Sequence, residues 1–252
     1  MTTTTGPLVQ TISELLQPAL DEIEPKFGRD DHATGHKDLD GLTGSDHAGK
    51  LWTVSGPTGM GKSVLVTGFA RATAKKGTRS VVLARHDNAM LFAHRVLAAE
   101  SRVPLHAMAS RTLTDDDWAR LAAKMGDVEP LPLERVDAPL TWLLGDLAGQ
   151  AGPLLLVVDA VGDLDELHDL EAFAEQRQAW VVAVLAPGSR LRKPVRAFAS
   201  LALELYREDY YDRDSPRCGE ADLDITRHRN GPTATITVAF QGHYGRFVDM
   251  ST

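Results

Sequence analysis

The sequence predicts an α/β protein: a mostly parallel sheet flanked by helices, with antiparallel strands added at the C-terminal end. Three observations carry that expectation. Leu154–Val158 and Trp180–Leu185 are unbroken apolar runs, the pattern of strands buried on both faces of a parallel sheet. From Leu51 onward, short β runs alternate with segments whose apolar residues recur at helical spacing. After Leu201 the pattern becomes apolar–polar alternation, over Leu201–Tyr206, Leu223–Arg229 and Thr233–Phe240, with Asn230-Gly231 supplying a hairpin turn.

Taken in order, residues 8–24 read as an amphipathic helix, because Val9, Ile12, Leu16, Ala19, Leu20 and Ile23 fall on one face. Pro18 kinks or splits it. Residues 1–30 are thus an appendage, and 31–252 a single domain. Pro25–Lys50, rich in Gly, Asp and His, reads as a loop with little regular structure and a solvated acidic surface. Leu51–Ser55 is a strand, and Lys62–Lys76 a helix closed by Gly77. Val81–Ala84 is the next strand, and Ala89–Glu100 the next helix. Thr114 caps a helix through Met125, with Asp117 in a weak capping-box role. Asp137-Ala-Pro139 opens another helix, carrying Leu140, Leu143, Leu144 and Leu147.

Composition narrows the function classes. The net charge of −8 argues against a broad basic surface for duplex DNA, though a local basic channel would not show in a total. Cys218 is the sole cysteine, so no disulfide framework exists, and the nine histidines give it no metal-ligand spacing. Met1–Gly6 has neither the basic nor the apolar part of a signal peptide, and no apolar stretch is long enough to span a bilayer. The expectation is a cytoplasmic protein with no membrane role.

The sharpest motif is Gly56-Pro57-Thr58-Gly59-Met60-Gly61-Lys62-Ser63, a complete G-x-x-x-x-G-K-[ST] phosphate loop between a β run and a helix. Its glycines let the backbone curl so that successive N–H groups face phosphate oxygens. The helix that follows adds its positive end. Lys62 reaches β- and γ-phosphates, and the Ser63 hydroxyl is a magnesium ligand. The expected ligands are therefore ATP and Mg. Such a loop needs a carboxylate on a neighbouring strand, and Asp159 ends the run Leu154–Val158 at the edge where ligands bind. The plainer alternative makes Asp159 a cap for the following helix. Asp163 and Asp165 read as helix N-terminal charges.

With these residues in place, the chain resembles the C-terminal motor domain of the DnaB-family replicative DNA helicases, built on a RecA-like fold. Thr34-Gly-His-Lys-Asp-Leu-Asp40 and Leu113-Thr-Asp-Asp-Asp-Trp118 are similar to family segments. So are Tyr206-Arg-Glu-Asp-Tyr-Tyr211, Arg227-His-Arg-Asn-Gly-Pro-Thr233, Phe240 and Arg246-Phe247. The resemblance makes the 1–30 appendage a linker helix and lacks the family's separate N-terminal domain. It implies a homo-oligomeric, hexameric ring acting on single-stranded DNA in replication, with ATP held between subunits. It also implies that Arg229 is an arginine finger for the neighbour's γ-phosphate, with Arg227 where the family has lysine. The alternative for both arginines is surface charge on a strand.

Three departures go with the resemblance. The family's catalytic glutamate falls on His86, or on Asp87 after a slip of one residue. Histidine can serve as a base, while Asp87 can serve as a base or as a helix N-cap. The family's γ-phosphate-sensing glutamine falls where Leu185-Ala-Pro-Gly188 stands. The segments for the DNA loops, Asp159–Val181 and Arg190–Tyr206, look short. Their basic cluster of Arg190, Arg192, Lys193 and Arg196 has no interleaved aromatic platform. Retained phosphate chemistry favours an ATP-driven enzyme on DNA; the departures favour a nucleotide-binding regulator or assembly partner.

Overall fold

The computed structural model describes residues 31–44, 47–188, 190–192 and 195–250, together with Ile12, Leu16 and Leu20. Those three residues are helical and exposed, and the rest of the expected 8–24 helix lies outside the described residues. Among the described residues, nine strands form one sheet in the order β3-β2-β4-β5-β1-β6-β7-β8-β9. They are β1 (Leu51–Ser55), β2 (Arg79–Leu83), β3 (Leu133–Val136), β4 (Leu154–Val161), β5 (Trp180–Leu185), β6 (Leu201–Tyr206), β7 (Glu220–His228), β8 (Thr235–Gln241) and β9 (Arg246–Asp249). The first six run parallel, and β7 to β9 form an antiparallel meander beside β6. The predicted architecture is the observed one, with β6 as the last parallel strand rather than the first antiparallel one.

Successive residues of the central strands feed two cores. Trp52, Val54, Val82, Leu155, Val157, Trp180 and Val182 pack on one face under α2 (Lys62–Lys75) and α3 (Ala89–Ser101). Leu51, Val81, Leu83, Leu154, Leu156, Val158, Val181 and Ala183 pack on the other under α6 (Leu140–Ala148) and α7 (Leu164–Arg177). Two-sided burial explains why these strands read as unbroken apolar runs. Each fully buried Leu or Val contributes about 1.5–3 kcal/mol of transfer free energy. A satellite core joins α3 to α5 (Asp115–Val128) through Ala98, Val103, Met108 and Leu121, with α4 (Leu105–Ser110) between them.

The expected loop over Pro25–Lys50 is corrected by α1 (Lys37–Thr43), whose Leu39 is wholly buried. Asp40 is no solvated charge, because it accepts hydrogen bonds from the Thr34 amide (2.8 Å) and hydroxyl (2.6 Å). Such a local bond offers the backbone a fixed turn that hydropathy does not reveal. His36 is buried against Phe69 and Asp249. The Thr114 cap is stronger than predicted, for both halves of the capping box form with Asp117.

Candidate functional site

The phosphate-loop residues sit at the C-terminal end of β1 and turn directly into α2. Gly56 has φ 144°, and a Cβ there would collide with the Leu205 carbonyl oxygen, so only glycine fits. Gly61 is left-handed at the head of α2, with the Phe247 ring 3.1 Å from where a Cβ would stand. No side chain caps α2, unlike α3, α5 and α7, which are capped by Asn88, Thr114 and Asp163. The first-turn amides of α2 are therefore left to the concavity of the loop. Lys62 is buried, and its ammonium donates to the carbonyls of Gly56 and Pro57, at 2.8 Å each.

Ser63 donates its hydroxyl to Asp159 Oδ2 at 3.0 Å. The expectation of a carboxylate on the strand next to β1 needs correction: β5 separates β1 from β4. Asp159 nonetheless reaches Ser63 across it, from an irregular stretch of β4 between Val158 and Val161 where Ala160 is left-handed at φ 59°. That conformation costs about 1–2 kcal/mol for a residue with a Cβ. The Ala160 carbonyl is taken by Arg85 at 3.1 Å, and Arg85 also pairs with Glu166. Asp163, not Asp159, caps α7 by accepting from the Glu166 amide, and Asp165 lies in the first turn as predicted.

The two residues offered for the glutamate position part company. His86 is exposed, whereas Asp87 turns inward and pairs with Arg95. Asn88 caps α3 by accepting from the Leu91 amide at 2.8 Å, so Asp87 is not the cap. Sequence reasoning missed Arg95. Burial disfavours its charge, and the nearby Asp159 carboxylate offsets part of that. The signal was a charge among the apolar positions Phe92, Val96 and Ala99 on the inward side of α3.

Beside the loop, a cavity of about 250 Å³ is lined by Ser55, Gly56, Pro57, Thr58, Leu185, Ala186, Pro187 and Gly188. Among the described residues, the β5 side of its wall has no polar side chain, in keeping with the missing glutamine. Arg227 and Arg229 are not part of this cluster. Arg227, near the end of β7, and Arg229, just after it, lie at the opposite end of the sheet, where Arg227 Nε donates to Ala199 O (2.9 Å) and Arg229 Nη2 to Phe198 O (3.2 Å). Register places Leu201 beside both Trp52 and His228, at the start of β1 rather than its loop end. Of the basic cluster, Arg190 is exposed, and Lys193 lies outside the described residues.

Sheet order, phosphate loop and the Ser63–Asp159 contact together define a RecA-like P-loop protein. The chain belongs to the DnaB-like helicase C terminal domain family, whose model matches residues 32–144 and 195–249. It is 31% identical to the replicative DNA helicase DnaB of Leifsonia xyli subsp. xyli, over 95% of this chain and 61% of that protein. It is 32% identical to the DnaB of Mycobacterium leprae, over 75% and 37%. The chain thus spans less than two thirds of the length of these relatives. Its fold is that of a DnaB-like replicative helicase solved for its interactions with primase, with a TM-score of 0.83 at 18% identity over 99% of this chain and 69% of that one. It is also that of a separately solved ATPase domain, with a TM-score of 0.84 at 19% identity over 97% and 100%. The family match leaves out 145–194, the stretch with Asp159, β5 and Pro187-Gly188. Among the described residues, no helix is long and apolar enough to cross a membrane.

Proposed function

We propose that the chain is a helicase-type P-loop ATPase that binds Mg-ATP and acts on DNA as a cytoplasmic oligomer in replication. The observation that carries this reading is the juxtaposition of Lys62, Ser63 and Asp159 at the head of an uncapped helix. The cradle suits the group: its path admits no side chain at Gly56, and the Lys62 donors now on loop carbonyls can transfer to phosphate oxygens. Ser63 and Asp159 would hold magnesium, which would neutralise charge on the β- and γ-phosphates. Gly56–Gly61 would wrap the phosphates with backbone N–H groups. Arg229, far from the loop of its own subunit, would act on the nucleotide of a neighbour, with Arg227 beside it. That distance supports a ring in which each site is completed in trans.

A second reading, a nucleotide-binding regulator that turns over little, is favoured by the Asp87–Arg95 pair and the apolar wall at Leu185–Gly188. One experiment separates them: steady-state ATP hydrolysis by the purified chain, with and without single-stranded DNA. Turnover stimulated by the strand supports the motor. Tight ATP binding with turnover no faster than that of Lys62→Ala supports the regulator.

A further inference from the structure

Asp87 is the only carboxylate between β2 and α3, and its surroundings leave it little freedom. Its side chain is 13% exposed and that of Arg95 is 21% exposed, with Arg95 Nη1 donating to Asp87 Oδ2. The backbone is fixed as well. Arg135 Nη2, reaching over from β3, donates to the Asp87 carbonyl at 2.7 Å and to Ala84 O at 3.4 Å. On one side Asn88 is committed to capping α3; on the other, Arg85 is committed to Glu166 and Ala160 O. Three arginines and a cap therefore fasten the segment 84–88, and Arg95 holds the carboxylate on the inward side of α3.

We infer that the Asp87–Arg95 ion pair is a built-in brake on nucleotide hydrolysis, keeping the carboxylate in Asp87 from serving as the base. This rests on the P-loop reading above. In hydrolysis, water oxygen forms a bond to the γ-phosphorus, the bond to the β–γ bridging oxygen breaks, and the base takes the proton of the water. One oxygen of the Asp87 carboxylate is already occupied by the Arg95 guanidinium, so it is not available to the proton of the water. Arg95 is itself largely covered, so the pair is not one between two freely exposed side chains. The pocket would hold ATP well and turn it over slowly until something moves Arg95.

The test is Arg95→Met in the full chain, measured for ATP affinity by calorimetry, for turnover, and for amide exchange of residues 84–88 without nucleotide. The expected result is faster exchange in that segment, ATP affinity within about twofold of wild type, and turnover raised by at least on the order of tenfold. A positioned base is worth roughly 10²–10⁴, so a gain of that size is within reach. Adding Asp87→Asn should cancel the gain in turnover. Arg95→Gln, which keeps a polar group without the charge, gives the same answer if methionine disturbs α3. Unchanged or lower turnover with ATP binding retained overturns the brake, because Arg95 would then be idle or useful. Failure of the wild type to bind ATP at all is a different outcome: it removes the P-loop reading, and the brake goes with it.

Discussion

Ser63 Oγ lies 3.0 Å from Asp159 Oδ2, although the strands that position them do not touch. The bond spans β5, and Ala160, just past the carboxylate, is left-handed. A hydroxyl and a carboxylate placed in this way, one on the phosphate-loop helix and one at the sheet edge, suit a divalent cation.

Lys62→Ala is expected to weaken Mg-ATP binding by on the order of 100-fold, the worth of one charge-assisted hydrogen-bonding group at the phosphates. Isothermal titration measures it directly. An unchanged affinity would remove the phosphate loop from the site.

Arg229→Ala is expected to leave ATP binding intact and to cut turnover by on the order of 10³, as for removal of an arginine finger. In the proposed ring, where the finger serves a neighbour, mixing Arg229→Ala subunits with Lys62→Ala subunits should recover part of the activity that each lacks alone. Absence of any recovery in mixtures that light scattering shows to be co-assembled would argue for an action in cis.

Much of this was legible in the chain. Leu154–Val158 and Trp180–Leu185 announced central strands because two-sided burial leaves no polar position in them. The phosphate loop was legible because its backbone path demands glycine at fixed spacing. The α1 helix was not, since Thr34 and Asp40 hold their turn by side-chain bonds that hydropathy does not encode. Strand β3 was hidden for a related reason: Glu134 and Arg135 interrupt its apolar pattern, and they are tied to Arg79 and to Asp87 O instead of water alone. Which of His86 and Asp87 turns inward needed three dimensions, because the two stand side by side between β2 and α3.

His36 should make the fold acid-sensitive. Burial pushes its ring below its ordinary value of 6.5, and the Asp249 carboxylate opposes that only in part. With a lower value folded than unfolded, the unfolded chain binds more protons as pH falls below about 6.5, so stability falls with it. Thermal melts on either side of that value, in neutral and in mildly acidic buffer, should show the loss, and His36→Gln should flatten the slope. A slope unchanged by the substitution would assign the sensitivity elsewhere.

Thr114→Ala is expected to cost about 1 kcal/mol, the usual worth of an N-cap hydroxyl. Here the hydroxyl accepts from the Asp117 amide at 3.2 Å, and the Asp117 carboxylate in turn accepts from the Thr114 amide at 3.0 Å. Urea unfolding gives the value. Because the cap lies on α5, away from the phosphate loop, ATP affinity should not follow it.

The last strand ties distant parts of the chain to a single helix. Its Phe247 rests against Gly61 at the head of α2, and its Asp249 accepts from the Lys37 amide at 3.2 Å. Ala33 is stapled to the far end of that helix, where Thr73 both accepts from its amide (3.2 Å) and donates to its carbonyl (2.9 Å). A tug on the chain upstream of Ala33 would therefore not be dissipated in a slack tether. A pull at Ala33 would reach the far end of α2 through Thr73, and the head of α2, where the phosphate loop turns into it, through β9.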